Sequence, residues 1–250
     1  MKDFRQKVVT AISIAFFLAL WKSLTWWCRY PSFILPPPEE VARRFMETLA
    51  DGTLLRHTRI TLLEIAVGLA LGLSAAFVLG YVLAKIPLME FFLSPLIIAS
   101  QSVPIVALAP LLVIWFGFGI LSKILVCALT VFFPVLVSTI VGIRSVEPEL
   151  RDLMRVLKAN QWQTFTKLEL PAALPVMLGG LKVGVTLSVI GAVVGEFVGA
   201  DRGLGFLVNL ARGLFDTPLL FVALGTLAAI AITLYSAVNA LEKCILRWRY

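Results

Sequence analysis

The chain has 250 residues, of which 60% are hydrophobic and 15% charged, with a net charge of +7 and a mean hydropathy of +0.95. Soluble domains run at about 45–50% apolar and about 25% charged residues, so a water-soluble fold of this composition would expose large apolar patches and is excluded. The basic residues lie beside apolar runs, which fits anionic lipid headgroups rather than nucleic acid, and Cys28, Cys127 and Cys244 are odd in number and lack metal-ligand spacing.

The predicted class is an all-α polytopic membrane protein with about six transmembrane helices. The opening MKDFRQK is basic, and Val8 to Trp27 is apolar. No small-x-small cleavage site precedes Trp26-Trp27, so this run reads as the first span, with its N-terminus in the cytoplasm. Trp21, Trp26, Trp27 and Tyr30 suit the outer interface, where Lys22 can snorkel. Pro31 to Arg59 is the longest outer connection. Pro36-Pro37-Pro38 imposes an extended chain, and Glu39 to Leu49 an amphipathic helix with Val41, Phe45 and Leu49 on one face. Asp51-Gly52 is a turn. The arginines here run against the positive-inside pattern, whereas the other loops support the assignment. Residues 1–61 thus form an N-terminal span with an outer amphipathic segment, and residues 62–250 the core.

Leu62 to Ala84 is the second span, whose Gly68 and Gly72 permit close helix approach, expected within the chain. Lys85 and Pro87 begin an inner turn. Phe91 to Phe116 is a third apolar run, interrupted by Pro95, Pro104 and Pro110. Such breaks are tolerated in a membrane only against protein or a water-filled cavity. Ser100, Gln101 and Ser102 at its middle are therefore candidates for lining a pathway; a kinked packing helix is the alternative. Leu121 to Ile143 is the fourth span, with a kink expected at Pro134.

Residues 144–175 are polar. Leu150, Leu153, Met154 and Leu157 share one helix face, with Pro148 in the first turn. Asn160 is expected to take the left-handed conformation that ends the helix. Trp162, Phe165 and Glu169 suggest a second short helical piece, stopped by Pro171. The fifth span, Val176 to Val198, is rich in glycine. Glu196 near its outer end is either a pathway group or a hydrogen-bonded helix end. Asp201 to Pro218 is an outer connection with a short amphipathic piece. Leu219 to Leu241 is the last span, and Glu242, Lys243, Arg247 and Arg249 end the chain inside. No basic residue is expected at the middle of a span, and no paired intramembrane acids.

No phosphate-binding G-x-x-x-x-G-K-[ST] loop occurs, nor G-x-S-x-G, H-E-x-x-H, Cys-x-x-Cys or G-x-G-x-x-G. His57 is the single histidine, which rules out histidine-rich metal sites. No catalytic, metal or cofactor site is predicted. The pattern is that of a pathway without its own motor.

The 144–175 stretch resembles the EAA loop of permease subunits of ATP-binding-cassette (ABC) importers. Asp152-Leu153-Met154 stands at the acidic-Ala-Ala start, Lys158 at the glycine position, and Leu170-Pro171 at the closing Leu-Pro. Ala159, Trp162-Gln163-Thr164-Phe165 and Pro171-Ala172-Ala173-Leu174-Pro175 fit, whereas the Ala-Ala and glycine positions depart from the pattern. Val103-Pro104, Ala109-Pro110-Leu111-Leu112, Trp115-Phe116-Gly117-Phe118-Gly119, Ser122-Lys123, Gly195-Glu196-Phe197 and Gly203-Leu204-Gly205 resemble the branch that carries nitrate, sulfonates, taurine, bicarbonate, pyrimidine vitamin precursors and riboflavin.

The resemblance implies a type I importer permease in a bacterial inner membrane, with both termini cytoplasmic. It implies a cytoplasmic ATP-binding subunit in two copies, an extracytoplasmic solute-binding protein, a second copy of the chain and membrane lipid as partners, and no nucleic acid. Leu150, Asp152, Leu153, Met154, Leu157, Lys158, Ala159, Leu170 and Pro171 are the expected ATPase-coupling residues; Ser100, Gln101, Ser102 and Glu196 are the pathway candidates. The expected lack of a basic group at mid-span leans towards a neutral or aromatic cargo. An ion-gradient-driven secondary transporter is the alternative, and a membrane enzyme a more distant one.

Overall fold

The structure, a computed structural model, describes residues 2–28 and 30–247, and every regular element among them is helical. The basic side chains expected at residues 1–7 and at Arg249 lie outside the described residues. In chain order the helices are α1 (Lys2–Cys28), α2 (Pro38–Ala50), α3 (Thr53–Lys85), α4 (Pro87–Ser102), α5 (Ile105–Phe116), α6 (Ile120–Arg144), α7 (Pro148–Val156), α8 (Gln161–Thr164), α9 (Leu170–Gly199), α10 (Leu204–Gly213) and α11 (Thr217–Ile245), with a π-helical turn at Phe165–Glu169 between α8 and α9.

Among the described residues, α3, α6, α9 with its lead-in, and α11 are each long and apolar enough to cross a membrane. The third apolar run is two helices, α4 and α5, bent by 97°. The fracture lies at Val103-Pro104, where Pro104 can give no amide hydrogen to continue α4. Helix α1, at 27 residues, is about 40 Å long, enough for a further span. It meets the rest through Trp21, stacked on Phe221 of α11 at 5.3 Å, and through the Lys22–Glu39 ion pair with α2. Helix α3 starts well before the expected Leu62. Gly52, at φ +78°, reverses the chain after α2, and the Thr53 N–H donates to Asp51 Oδ1 at 2.8 Å, so the next helix begins at once.

Helix α6 is central, with α3 on one side and α9 on the other. Small residues make this possible. A methyl placed on Gly72 of α3 would lie 2.6 Å from the Ala128 carbonyl, and one on Gly191 of α9 would lie 2.9 Å from Cys127 Cα. The Gly68/Gly72 pair therefore packs within the chain, as expected. Cys127, fully buried at this crossing, donates its thiol hydrogen to Ser188 O at 3.3 Å.

Two local expectations are corrected. Pro171 does not stop a helix: α8, the π turn and α9 form one 39-residue helical rod from Gln161 to Gly199. The widened turn, in which the Leu170 N–H donates to Phe165 O, absorbs the conflict between the Pro171 ring and the preceding turn. Asn160 is not the left-handed residue either. Lys158, at φ +51°, takes that conformation. Asn160 is extended and caps α8: its Oδ1 accepts from Gln163 N at 2.8 Å, while Gln163 Oε1 accepts from Asn160 N at 2.9 Å.

Candidate functional site

Three groups of residues are set out along the α3–α6–α9 core: a hairpin at one end, a cavity at mid-depth and a buried polar network at the far end.

The hairpin is α7 and α8 joined by a tight turn. The Lys158 N–H donates to Arg155 O at 2.9 Å and the Ala159 N–H to Met154 O at 3.0 Å, the paired bonds of a Schellman helix end. That geometry needs positive φ at residue 158, the physical reason for the glycine of the EAA pattern; here lysine bears the strain. Leu150, Leu153 and Leu157 of the predicted stripe are solvent-facing, Leu157 at 65%, and Trp162 joins them at 70%. Met154 and Ala159 are half-buried, and Leu170 and Pro171 are half-buried in the first turn of α9. Asp152 faces outwards and pairs with Arg155 at 2.9 Å.

The base of the hairpin is fastened to the core. Glu169, 1% exposed, pairs with Lys85 at the end of α3 and accepts a hydrogen bond from Tyr81 at 3.3 Å. Phe165 packs edge-on to the Tyr81 ring at 5.0 Å. Arg151 donates to the Ile143 carbonyl at 2.7 Å, capping α6, and Arg144 pairs with Glu90 of α4. Sequence reading did not find this latch, because its partners lie more than 80 residues apart (Tyr81 and Lys85 against Glu169).

The cavity opens where α4 breaks into α5 and has a volume of about 510 Å³. Ser100 and Gln101 line it, together with Leu129, Thr130, Phe133 and Pro134 at the middle of α6. Ser102 is not among its lining residues; its hydroxyl, like that of Ser100, donates back to its own helix, to Ile98 O at 3.0 Å.

Glu196 is not brought to that cavity. It is 1% exposed at the far end, where its Oε1 accepts from Thr61 at 2.6 Å and its Oε2 from the Gly205 N–H. Thr61 in turn accepts from Leu204 N at 2.8 Å, and His57 Nδ1 from Gly203 N at 2.9 Å. Gly203 sits at φ +113° with its Cα against the Glu196 carboxyl, leaving no room for a side chain. The Gly195-Glu196-Phe197 and Gly203-Leu204-Gly205 motifs are thus two halves of one network, fastening the α9–α10 loop to α3.

Two expectations about charge are overturned here. Paired intramembrane acids are present: Glu64, 1% exposed, lies against Glu196, and its Oε2 has no hydrogen-bond partner among the described residues. Basic residues also lie within the helices. Lys182 of α9 is held by Glu242, by Asn239 at 3.0 Å and by the Tyr235 ring, and buried Lys123 of α6 donates to Phe118 O at 3.1 Å. The Glu64–Glu196 pairing became visible only when the helix packing brought α3 and α9 together, whereas Lys123 and Lys182 lie in plain view inside the fourth and fifth predicted spans. No group of three or more metal-ligating side chains occurs among the described residues.

Comparison with known proteins places this geometry. The chain is 48% identical over 237 residues to the riboflavin transport system permease protein RibX of Chloroflexus aurantiacus, covering 95% of this chain and 88% of that one. It is 36% identical over 217 residues to the formylaminopyrimidine transport permease protein ThiX of Halalkalibacterium halodurans, covering 87% and 86%. The fold matches an inward-facing MetNI methionine ABC transporter structure with a TM-score of 0.66 at 18% identity, over 77% of this chain and 96% of that chain. Residues 65–247 match the model of the binding-protein-dependent transport system inner membrane component, and the chain belongs to that family, as a multi-pass permease subunit of an ABC importer.

Proposed function

We propose that the α7–α8 hairpin is the handle by which a separate cytoplasmic ATP-binding subunit moves the permease. One observation carries the reading: Leu153, Leu157 and Trp162 stand in solvent on an element whose base is tied to α3 by the Glu169–Lys85 ion pair and to α6 by the Arg151 hydrogen bond. An exposed apolar stripe on a firmly rooted helix suits helix-in-groove binding. Leu150, Asp152, Leu153, Met154, Leu157, Lys158 and Ala159 form the contact, and Leu170 and Pro171 carry its movement into α9. Two ATP-binding subunits act on two copies of this chain, related by a two-fold axis, through the core that begins in α3. The hairpin and both termini face the cytoplasm, and a solute-binding protein delivers cargo at the opposite face. Ser100 and Gln101 line the pathway, and Glu196 anchors the outer loop rather than touching cargo.

Leu153→Arg tests the handle. It is expected to abolish co-purification of the ATP-binding subunit and transport, while the permease still inserts in the membrane. Undiminished transport in that variant refutes the reading. A thiol placed at Gln161 and labelled in intact cells by a membrane-impermeant reagent refutes the orientation.

A further inference from the structure

We infer that the cavity at the α4–α5 break is a contact site for cargo, and that its chemistry selects a neutral, planar heterocycle bearing both hydrogen-bond donors and acceptors, with Gln101 and Phe133 as the specificity-determining residues. The inference rests on the permease reading above and names the cargo class for its pathway.

The lining comes first. None of the residues around the 510 Å³ space is charged. An anion such as a sulfonate or nitrate entering it would surrender its hydration without a cationic side chain to meet it, and burying an unpaired charge is strongly unfavourable. Lys123 and Lys182, the cations inside the helices, are engaged elsewhere, with the Phe118 carbonyl and with Glu242.

The backbone comes second. The last carbonyls of α4, including those of Ser100 and Gln101, have no following turn to donate to them, because the helix ends at Ser102 and the residue four beyond Ser100 is Pro104. Across the cavity, Pro134 denies the Thr130 carbonyl its regular donor in the same way. The start of α5, at Ile105, brings unpaired amide hydrogens to the same break. Acceptors and donors thus meet around one space that is neutral overall. An amide-like ring edge matches such a set, whereas a bare anion matches only the donors. The Gln101 side chain, exposed at this rim, adds one more donor and one more acceptor.

The ring comes third. Phe133 lines the cavity and is held edge-on to Phe132 at 5.0 Å, which fixes its plane. A planar heterocycle can stack there with little loss of side-chain freedom. The position is apt, since Thr130 and Phe133 lie at the middle of α6, and broken helices at mid-membrane depth are where irregular backbone borders a solute path.

The test uses the purified complex of permease and ATP-binding subunit, with radiolabelled riboflavin and taurine as probes in a scintillation-proximity assay. Saturable riboflavin binding that unlabelled taurine does not displace is the expected result. Phe133→Ala is expected to weaken riboflavin binding about tenfold, the loss of one stacking partner. Gln101→Leu is expected to weaken it by a similar factor, while both variants still co-purify with the ATP-binding subunit. Taurine binding tighter than riboflavin, or riboflavin binding unchanged in both variants, overturns the inference. Loss of the ATP-binding subunit from the wild-type complex would instead count against the permease reading, so the two failures are distinguishable.

Discussion

Replacing Lys158 with glycine is expected to stiffen the hairpin. Lys158 sits at φ +51° between two Schellman hydrogen bonds, and a non-glycine residue in the left-handed region costs about 1–2 kcal/mol. Glycine removes that strain but loses more backbone entropy on ordering, about 0.5–1 kcal/mol. The balance is a gain of about 0.5–1 kcal/mol for Lys158→Gly, or roughly two- to fivefold in the opening equilibrium of the α7–α8 turn. Hydrogen exchange of the Lys158 and Ala159 amides, followed by mass spectrometry on the purified permease, reads this directly as slower exchange. A valine at the same site should do the reverse, because β-branching aggravates the left-handed conformation. Faster exchange in the glycine variant, or equal rates in all three proteins, would refute the claim that lysine bears backbone strain here. The variant also separates shape from chemistry. If the hairpin docks as a preformed shape, affinity for the ATP-binding subunit should rise by the same small factor.

The remaining predictions concern the two ends of the core. Glu169→Gln weakens the latch to Lys85 and Tyr81; ATP hydrolysis by the assembled complex should persist while solute uptake per ATP falls, and an unchanged uptake-to-hydrolysis ratio would sink the latch as a transmission element. Thr61→Val removes a hydroxyl that donates to Glu196 and accepts from Leu204. Leaving two buried partners unpaired should destabilise the protein by about 2 kcal/mol or more, read as a lower apparent melting temperature, and Thr61→Ser should restore most of it.

Much of this architecture was legible in the sequence because a membrane reduces the choices. Apolar runs must be helices, so the spans could be drawn from composition alone. The stripe Leu150, Leu153, Leu157 was readable from its spacing, and the break near Ser100 and Gln101 from its prolines. What escaped has a common physical character. Asn160 is the better intrinsic candidate for the left-handed residue, and propensity cannot reveal that it is needed as the N-cap of the next helix. Pro171 reads as a stop, because a π turn that accommodates it leaves no mark in the pattern. Glu64 lies near the start of the expected second span, with no other acid close to it in sequence. Its place beside Glu196 depends on α3 and α9 meeting at that end, a long-range fact that no local periodicity encodes.

The same long-range contacts explain how an event at the hairpin can reach the opposite face. The rod from Gln161 to Gly199 holds 39 residues, about 58 Å at the helical rise. Its hydrogen bonds do not stretch appreciably, so a displacement imposed at α8 is passed along the axis. At one end the rod is bound to α3 through Glu169 and Lys85, at the other through Glu196 and Thr61. Between these points its glycines, such as Gly184 and Gly191, seat the α6 side chains Val135 and Thr130 directly against the rod. A rod packed this closely on α6 and pinned to α3 at both ends tilts together with them as one body. The residues displaced least by such a tilt are at the middle of the core, beside Thr130 and Phe133. Cargo contacts located there would persist while the two faces of the membrane open in turn, which is the mechanical reason to look for them at the broken helix and not at either gate.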